Sequence, residues 1–218
     1  MLSLLRQGIA EMGLTLPDAA ADQLARYLDL LIKWNRVYNL TAIRDESKLV
    51  SHHVLDSLAV VGHLPGGTVV DVGSGAGLPG IPIAIACPGL EVVLLDSNHK
   101  KAAFLQQAVG ELGLANTQVL VERAEIYQPL RLFNAVVSRA FSDLTDFVRL
   151  AGHLCAPHGV MIAMKGLYPH EEIAQVRSCW QVETSGRLLI PQLDAARHLV
   201  FLRRPTSEPT DQAPCHAC

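Results

Sequence analysis

The stretch Thr68-Val69-Val70-Asp71-Val72-Gly73-Ser74-Gly75-Ala76-Gly77-Leu78-Pro79-Gly80 leaves the chain few options. Val69, Val70 and Val72 make the apolar run of a buried strand, bounded upstream by the turn pair Gly66-Gly67. Four glycines in eight residues then follow, Gly73, Gly75, Gly77 and Gly80, more than a plain turn requires. They let the backbone turn tightly, reach positive φ and come close to a ligand. Pro79 and Pro82 suit the first turn of a helix, where a missing N–H costs little. A strand, a glycine turn and an open helix N-terminus together make a nucleotide-type binding site.

Upstream, residues 1–64 read as helical. Leu24, Tyr27, Leu28, Leu31 and Ile32 follow the stripe of an amphipathic helix opened by Pro17-Asp18 and ended by the two asparagines Asn35 and Asn39. A second helix is expected from Ser47 to Gly62, with Val50, Val54, Leu58 and Val61 on one face. No Ser/Gly/Pro-rich linker follows, so this extension should pack on the main domain, 65–204. From Thr68 strand and helix alternate at βαβ spacing. Strands are expected at Thr68–Val72, Glu91–Asp96, Gln118–Glu122, Phe133–Ser138 and Val160–Lys165. Helices are expected at Lys100–Leu112, capped by Gly113, at Leu144–Leu154, closed by Pro157-His158-Gly159, and at Glu171–Ser178. Trp180–Ile190 and His198–Arg203 read as an antiparallel pair on the sheet edge, and 205–218 as a flexible tail.

A chain of 218 residues is long enough for one α/β domain with a short extension, and at this size it should bury about 70% of its unfolded surface. No apolar run is long enough to span a bilayer, and the N-terminus lacks a signal-peptide core, so the reading is a soluble, cytoplasmic protein. Five cysteines, an odd count, point to reduced thiols. Cys215-His216-Ala217-Cys218 has metal-like spacing but no second pair to complete a site, and His52 with Asp56, one helical turn apart, lacks a third ligand; no metal is expected. A net charge of −3 is not that of a general nucleic-acid binder, so an RNA partner must be met by a local patch.

Glycine turns of this kind serve both dinucleotides and S-adenosylmethionine. Three features bear on the choice. The glycine series starts inside the strand end, which suits close backbone approach to an amino-acid moiety more than a pyrophosphate. Asp96 ends the second strand, where a carboxylate can accept from ribose hydroxyls; both ligand classes want this acid, and a turn or helix-cap acid is the plain alternative. Five parallel βα units closed by a strand pair give the class I S-adenosylmethionine-dependent methyltransferase fold: α/β, Rossmann-like, a seven-stranded mostly parallel sheet with an antiparallel last strand, here with an N-terminal helical extension. A dinucleotide enzyme usually needs a separate substrate domain, for which no length remains.

Trp34-Asn35, Asn39-Leu40-Thr41-Ala42-Ile43, His53-Val54-Leu55-Asp56-Ser57, Asp71 through Pro82, Leu95-Asp96-Ser97, Ser138-Arg139-Ala140-Phe141 and Lys165-Gly166 resemble, in order and in register, the RsmG (GidB) family. The resemblance covers roughly residues 25–166; Ser74 stands where threonine is frequent, which keeps the hydroxyl. It implies transfer of a methyl group from S-adenosylmethionine to N7 of a guanine, position 527, in bacterial 16S ribosomal RNA of the small subunit. It also implies that Gly73 and Leu78 line the cofactor cleft, that Ala124-Glu125 flank the adenine, and that Arg139 completes the site. With the glycine turn and the ribose acid, the expected cofactor set is Gly73, Ser74, Gly75, Gly77, Leu78, Asp96, Ala124, Glu125 and Arg139.

Arg139 at the mouth of strand four could meet a methionine carboxylate or an RNA phosphate as a bidentate donor. Asn39 and Lys165 are candidates for the RNA side, Lys165 either as a phosphate contact or as a solvated strand-end charge. The His53…Asp56 pair is expected to hold the helical extension on the cleft or shape the RNA site. Arg36, Arg44, Lys48, Lys100, Lys101, Arg139, Lys165 and Arg197 would form a cationic rim, and Phe141 or Tyr38 could stack on the target base. Guanine N7 has a free lone pair and no proton to lose, so no catalytic acid or base is expected. Orientation and electrostatics should carry the rate. The strand-four sequence Ser138-Arg139-Ala140-Phe141 lacks the Asn/Asp-Pro-Pro-aromatic pattern of exocyclic-amine methyltransferases. A monomer is expected. Two other readings remain at this point: a methyltransferase acting on a small molecule or protein, and a non-catalytic ribosome-associated binding module.

Overall fold

Parallel strands this apolar must be covered on both faces, and the computed structural model, which describes residues 1–177 and 179–205, shows how. The strands are β1 (Thr68–Val72), β2 (Glu91–Leu95), β3 (Thr117–Leu120), β4 (Phe133–Ser138), β5 (Cys155–Lys165), β6 (Gln181–Thr184) and β7 (His198–Arg203). They form one sheet in the order β3-β2-β1-β4-β5-β7-β6. β1 to β5 pair in parallel, while β7 runs antiparallel to both β5 and β6. This is the expected mostly parallel sheet. The expected edge pair is present too, with β7 inserted between β5 and β6.

The helices are α1 (Leu2–Glu11), α2 (Ala20–Tyr38), α3 (Glu46–Leu49), α4 (Asp56–Leu58), α5 (Gly80–Ala86), α6 (His99–Leu112), α7 (Leu144–Ala151) and α8 (His170–Val176). Alternation along β1 divides the core. Val69 faces the side covered by α2, α5 and α6, where Leu24, Tyr27, Leu31, Ile81 and Phe104 are buried. Val70 and Val72 face the other side, with Phe147, Met161 and Trp180. The N-terminal helices lie against the first side. Gln23 Nε2 donates to the carbonyl of Leu112 at 3.1 Å, at the C-terminal end of α6.

The structure departs from the sequence expectations in four places. The helix expected over Ser47–Gly62 starts at Glu46, capped by Asp45 Oδ1, which accepts from Ser47 N at 3.0 Å. It then passes through a π-helical stretch, Val50–Leu55, into α4. The widened turn brings Ser51, His53, Asp56 and Ser57 inside together with Val50, Val54 and Leu58. β5 begins at Cys155 rather than Val160, because its register jumps from Phe133↔Cys155 to Ala135↔Val160. Pro157-His158-Gly159 sits in that irregularity, where a proline is tolerated. A Cβ at Gly159 would lie 2.9 Å from the carbonyl oxygen of Phe133. β6 stops at Thr184, well short of Ile190, although Leu188 N still donates to the carbonyl of Arg197 at 2.8 Å. Gly80 does not carry a positive φ; it opens α5, where a Cβ would run into the side chains of Leu94 and Asp71.

The tail beyond residue 205, with Cys215 and Cys218, and Ser178 of the expected last helix lie outside the described residues. Among the described residues, no helix is long and apolar enough to cross a membrane.

Candidate functional site

In a sheet of this order the chain turns opposite ways from β1 and from β4, which opens a crevice beyond their C-terminal ends. A cleft of about 500 Å3 lies there, lined by Gly73, Asp96, Glu122, Ala124, Glu125 and Phe141 among others. Gly73, Gly75 and Gly77 take φ of 72°, 58° and 85°. At Gly73 the bare backbone is required twice over, since a Cβ would also come within 2.7 Å of the Ala140 methyl across the cleft.

Side chains pin this turn from below. Ser74 Oγ donates to the carbonyl of Asp71 at 2.8 Å, and Gly75 N donates to Asp96 Oδ2 at 2.8 Å. Asp96 Oδ1 accepts from Asn98 N at 2.8 Å, and Asn98 caps α6. Asp96 is therefore a turn acid and a cleft-lining acid at once; two filled acceptor positions leave a carboxylate room for more. Tyr27 of α2 reaches the turn from the N-terminal helices, its hydroxyl donating to the carbonyl of Ala76 at 2.7 Å, fully buried. Asp71 Oδ2 accepts from Gly80 N at 2.9 Å, while its Oδ1 is buried without a hydrogen-bond partner. Burial pushes this carboxyl up to about 7, against the hydrogen bond from Gly80 N.

Four of the expected cofactor residues, Gly73, Asp96, Ala124 and Glu125, line the cleft. Ser74, Gly75, Gly77 and Leu78 shape the turn and are not among the cleft's lining residues. Arg139 is elsewhere. Its guanidinium points across the β4 end to the buried Asp56, Nη1 lying 3.2 Å from Oδ2. It also donates to Ser57 Oγ at 3.4 Å and to the carbonyl of His52 at 3.5 Å. Arg197 Nε donates to the other oxygen of Asp56 at 2.9 Å. Asp56, Arg139, Met164, Lys165, Gly166 and Arg197 line a second cleft of about 210 Å3. One carboxylate, 5% exposed, thus anchors two guanidiniums that are 24% and 22% exposed.

His53 lies behind this second cleft. Its Nε2 is 2.8 Å from Thr41 Oγ1, and its Nδ1 is buried without a partner. Burial and, after it, the Arg139 charge push the imidazole down to about 4. Asn39 ends α2 at φ 49°, and its Oδ1 accepts from Arg44 Nη2 at 2.5 Å.

Lys165 is not the solvated strand-end charge of one expectation, because its side chain is buried at the edge of the second cleft. Its Nζ donates to the carbonyls of Ser142 and Phe141, at 2.7 and 3.3 Å, and lies 2.7 Å from Glu172 Oε2. Phe141 lines the larger cleft, its ring 5.1 Å from that of Phe147. His52 Nδ1 faces Ser51 Oγ at 3.0 Å, and among the described residues no group of three His, Cys, Asp or Glu side chains is placed to hold a metal. The Asp56–Arg197 bond and the Tyr27–Ala76 bond escaped sequence reasoning, because neither residue type nor spacing links positions 141 and 49 residues apart.

The family model described as "GidB: rRNA small subunit methyltransferase G" matches residues 20–200. The chain belongs to the GidB family. A ribosomal RNA small subunit methyltransferase G of Chromobacterium violaceum is 55% identical over 197 residues, covering 90% of this chain and 94% of that one. One of Nitrosospira multiformis is 55% identical over 207 residues, covering 92% and 96%. The glycopeptide N-methyltransferase MtfA, solved with S-adenosyl-L-homocysteine, superimposes with a TM-score of 0.61 at 12% identity over 70% of this chain and 87% of its own. A SAM-dependent methyltransferase from Aquifex aeolicus does so with a TM-score of 0.55 at 17% identity, over 75% and 96%. These two share the fold. The GidB match takes in both clefts and leaves out α1.

Proposed function

We propose that this GidB-family chain transfers a methyl group from S-adenosylmethionine to N7 of a guanine in 16S ribosomal RNA, acting in the cytoplasm as a monomer on RNA of the small subunit. The observation that carries the reading is the pair of clefts on either side of one loop, the β4–α7 connection. One has a bare-backbone cradle and a ribose-type acid, and the other has two arginines.

The residues of the larger cleft fit the cofactor. Gly73 leaves bare backbone at the cleft wall, where a Cβ would strike the Ala140 methyl, Asp96 keeps acceptor capacity for ribose hydroxyls, and about 500 Å3 is within the range of small-molecule pockets. Gly73 and Asp96 would hold the amino-acid and ribose parts, with Ala124 and Glu125 beside the base. S-adenosylmethionine supplies an electrophilic sulfonium methyl when bound.

The second cleft supports an RNA partner. Its charged lining carries two guanidiniums that share a single carboxylate. Arg139 and Arg197 keep part of their surface free, so a phosphate or a guanine oxygen can be met by N–H donors already held in place by Asp56. No base is on offer there, since both Asp56 oxygens are taken by guanidiniums. That suits a nucleophile with no proton to lose, for which orientation can supply about 7–11 kcal/mol of the barrier.

The test is transfer of labelled methyl from S-adenosylmethionine to small subunits lacking the modification and to protein-free RNA, followed by mapping of the modified base. Incorporation at a single guanine N7 is expected. Label in protein or in a pyrimidine, or none at all, would overturn the proposal. Arg139→Ala should keep S-adenosylhomocysteine binding and lose methyl transfer by about 100-fold or more, roughly 3 kcal/mol of transition-state stabilisation. Full activity in that variant would remove Arg139 from the substrate side.

A further inference from the structure

We infer that Lys165 is a positioning residue that fixes the partition between the two clefts, and not a contact to RNA phosphate. The partition is the loop from Ser138 to Leu144. Ala140 and Phe141 face the cofactor cleft, while Arg139, one residue before them, faces the second. A shift of this short segment therefore moves both walls at once.

The upstream end of the loop is held by Ser138, whose Oγ donates to the carbonyl of Val72 at 2.7 Å and accepts from Ala140 N at 3.0 Å. The downstream end is held by Lys165 and Glu172. Lys165, at the tip of β5, donates to the carbonyls of Phe141 and Ser142 and to Glu172 Oε2. The same Glu172 oxygen accepts from Leu144 N at 2.8 Å, at the start of α7. An ammonium has three donors, and all three are used. The side chain is 10% exposed and its partner 23%, so the pair is largely desolvated. Turning Nζ toward a phosphate would strip two backbone carbonyls and a carboxylate of their donor, a loss comparable to the attraction of the phosphate itself.

The two roles predict different measurements. A lysine that meets a phosphate contributes to the salt dependence of RNA affinity, about 0.7 in the slope of log affinity against log salt for a single strand. A loop anchor leaves that slope alone and acts on the neighbouring cleft. The inference rests on the proposed function for its choice of probes, S-adenosylhomocysteine and 16S RNA, so binding of both to the parent protein is measured first. Failure there sinks that reading, while amide hydrogen exchange at Leu144, which needs no ligand, still tests the anchor.

Lys165→Met should weaken S-adenosylhomocysteine about tenfold by calorimetry and leave the RNA salt slope unchanged. It should also speed exchange of the Leu144 amide about tenfold or more, as the loop opens more often. Glu172→Gln, which keeps the side-chain volume, should show the same signs at smaller size. The double variant should be no worse than Lys165→Met alone, because both substitutions break one network. Cofactor-product affinity and Leu144 exchange at parental values in folded Lys165→Met would overturn the inference, and so would a fall in the salt slope. Should Lys165→Met not fold, Glu172→Gln decides alone, since a freed phosphate-binding lysine would leave S-adenosylhomocysteine affinity untouched.

Discussion

The two clefts are built by opposite means. The larger has at its base a backbone turn, entered at Val72 and Gly73 and hooked to Asp96, with residues from the ends of the neighbouring strands completing its walls. The smaller is assembled from side chains of distant segments, two of which bring Arg139 and Arg197 onto Asp56. A cleft made of backbone fails when a side chain is added; one made of charges fails when a charge is removed. Each also hides one titratable group, and burial shifts the two in opposite directions: Asp71 up to about 7 under the first, His53 down to about 4 behind the second.

The contrast is broken most forcefully at Asp56. Asp56→Ala leaves two partly buried guanidiniums facing one another with no counter-charge. Removing one member of a buried ion pair costs about 3–5 kcal/mol, and the residual exposure of 24% and 22% places this case at the lower end. Urea unfolding should show the loss, and methyl transfer should disappear with it, while S-adenosylhomocysteine affinity of the folded fraction stays near the parent's. A stability within about 0.5 kcal/mol of parent, the range of ordinary surface changes, would mean that the second cleft is not organised by this carboxylate.

Gly73→Ala is the matching test on the other side. The residue has φ of 72°, and the new methyl would lie 2.7 Å from that of Ala140. Strain at such a position is about 1–3 kcal/mol, which corresponds to roughly 5- to 150-fold in S-adenosylhomocysteine affinity. The RNA salt slope should not move. Parental affinity for the cofactor product would take Gly73 out of the cradle.

How much of this was legible follows from the same contrast. Backbone-made features announce themselves, because glycine, proline and asparagine each carry a conformational meaning at a single position. Gly73 and the helix cap Gly113 stand at positive φ, where their residue type indicates. The sheet was legible for a related reason, since five apolar strands at βαβ spacing admit few topologies. Arg139 and Lys165 were legible as strand-end cations only. Their partners, Asp56 for the one and Phe141, Ser142 and Glu172 for the other, come from elements whose approach is set by tertiary packing. The π-helical stretch was hidden because Val50, Val54 and Leu58 satisfy ordinary helical spacing while His53 and Asp56 are turned inward between them.

The buried acid and the buried imidazole make the two regions respond oppositely to pH. Asp71 has its folded value raised from 3.8 to about 7, so the folded state binds the extra proton and the unfolded state does not. Stability from this group is present below about pH 4 and is lost as pH rises through 7. His53 has its folded value lowered from 6.5 to about 4, so the unfolded state binds the extra proton. Its stability is present above about pH 6.5 and is lost as pH falls through 4. Each slope is at most about 1.4 kcal/mol per pH unit. Unfolding series of Asp71→Asn and His53→Gln against the parent should therefore diverge in opposite senses between pH 4 and 6.5. Parallel curves would show that the two sites do not titrate oppositely.

Tyr27 gives the smallest effect and ties the N-terminal helices to the glycine turn. It is the point at which the N-terminal helices touch the glycine turn, through one hydrogen bond from a fully buried hydroxyl to the Ala76 carbonyl. Burial holds the phenol far above its usual range, so it stays a donor at every working pH. Tyr27→Phe keeps the ring against Phe104, 6.4 Å between centroids, and deletes only the donor. The unpaired carbonyl costs about 1–2 kcal/mol. Part of that should appear as global destabilisation. If the helical extension props the cradle, the rest should appear as a few-fold rise in the KM for S-adenosylmethionine with kcat at saturation little changed. A loss of stability with no change in KM would confine Tyr27 to packing, and would leave the hold on the cradle to contacts such as those of Asp71, Asp96 and Ser74.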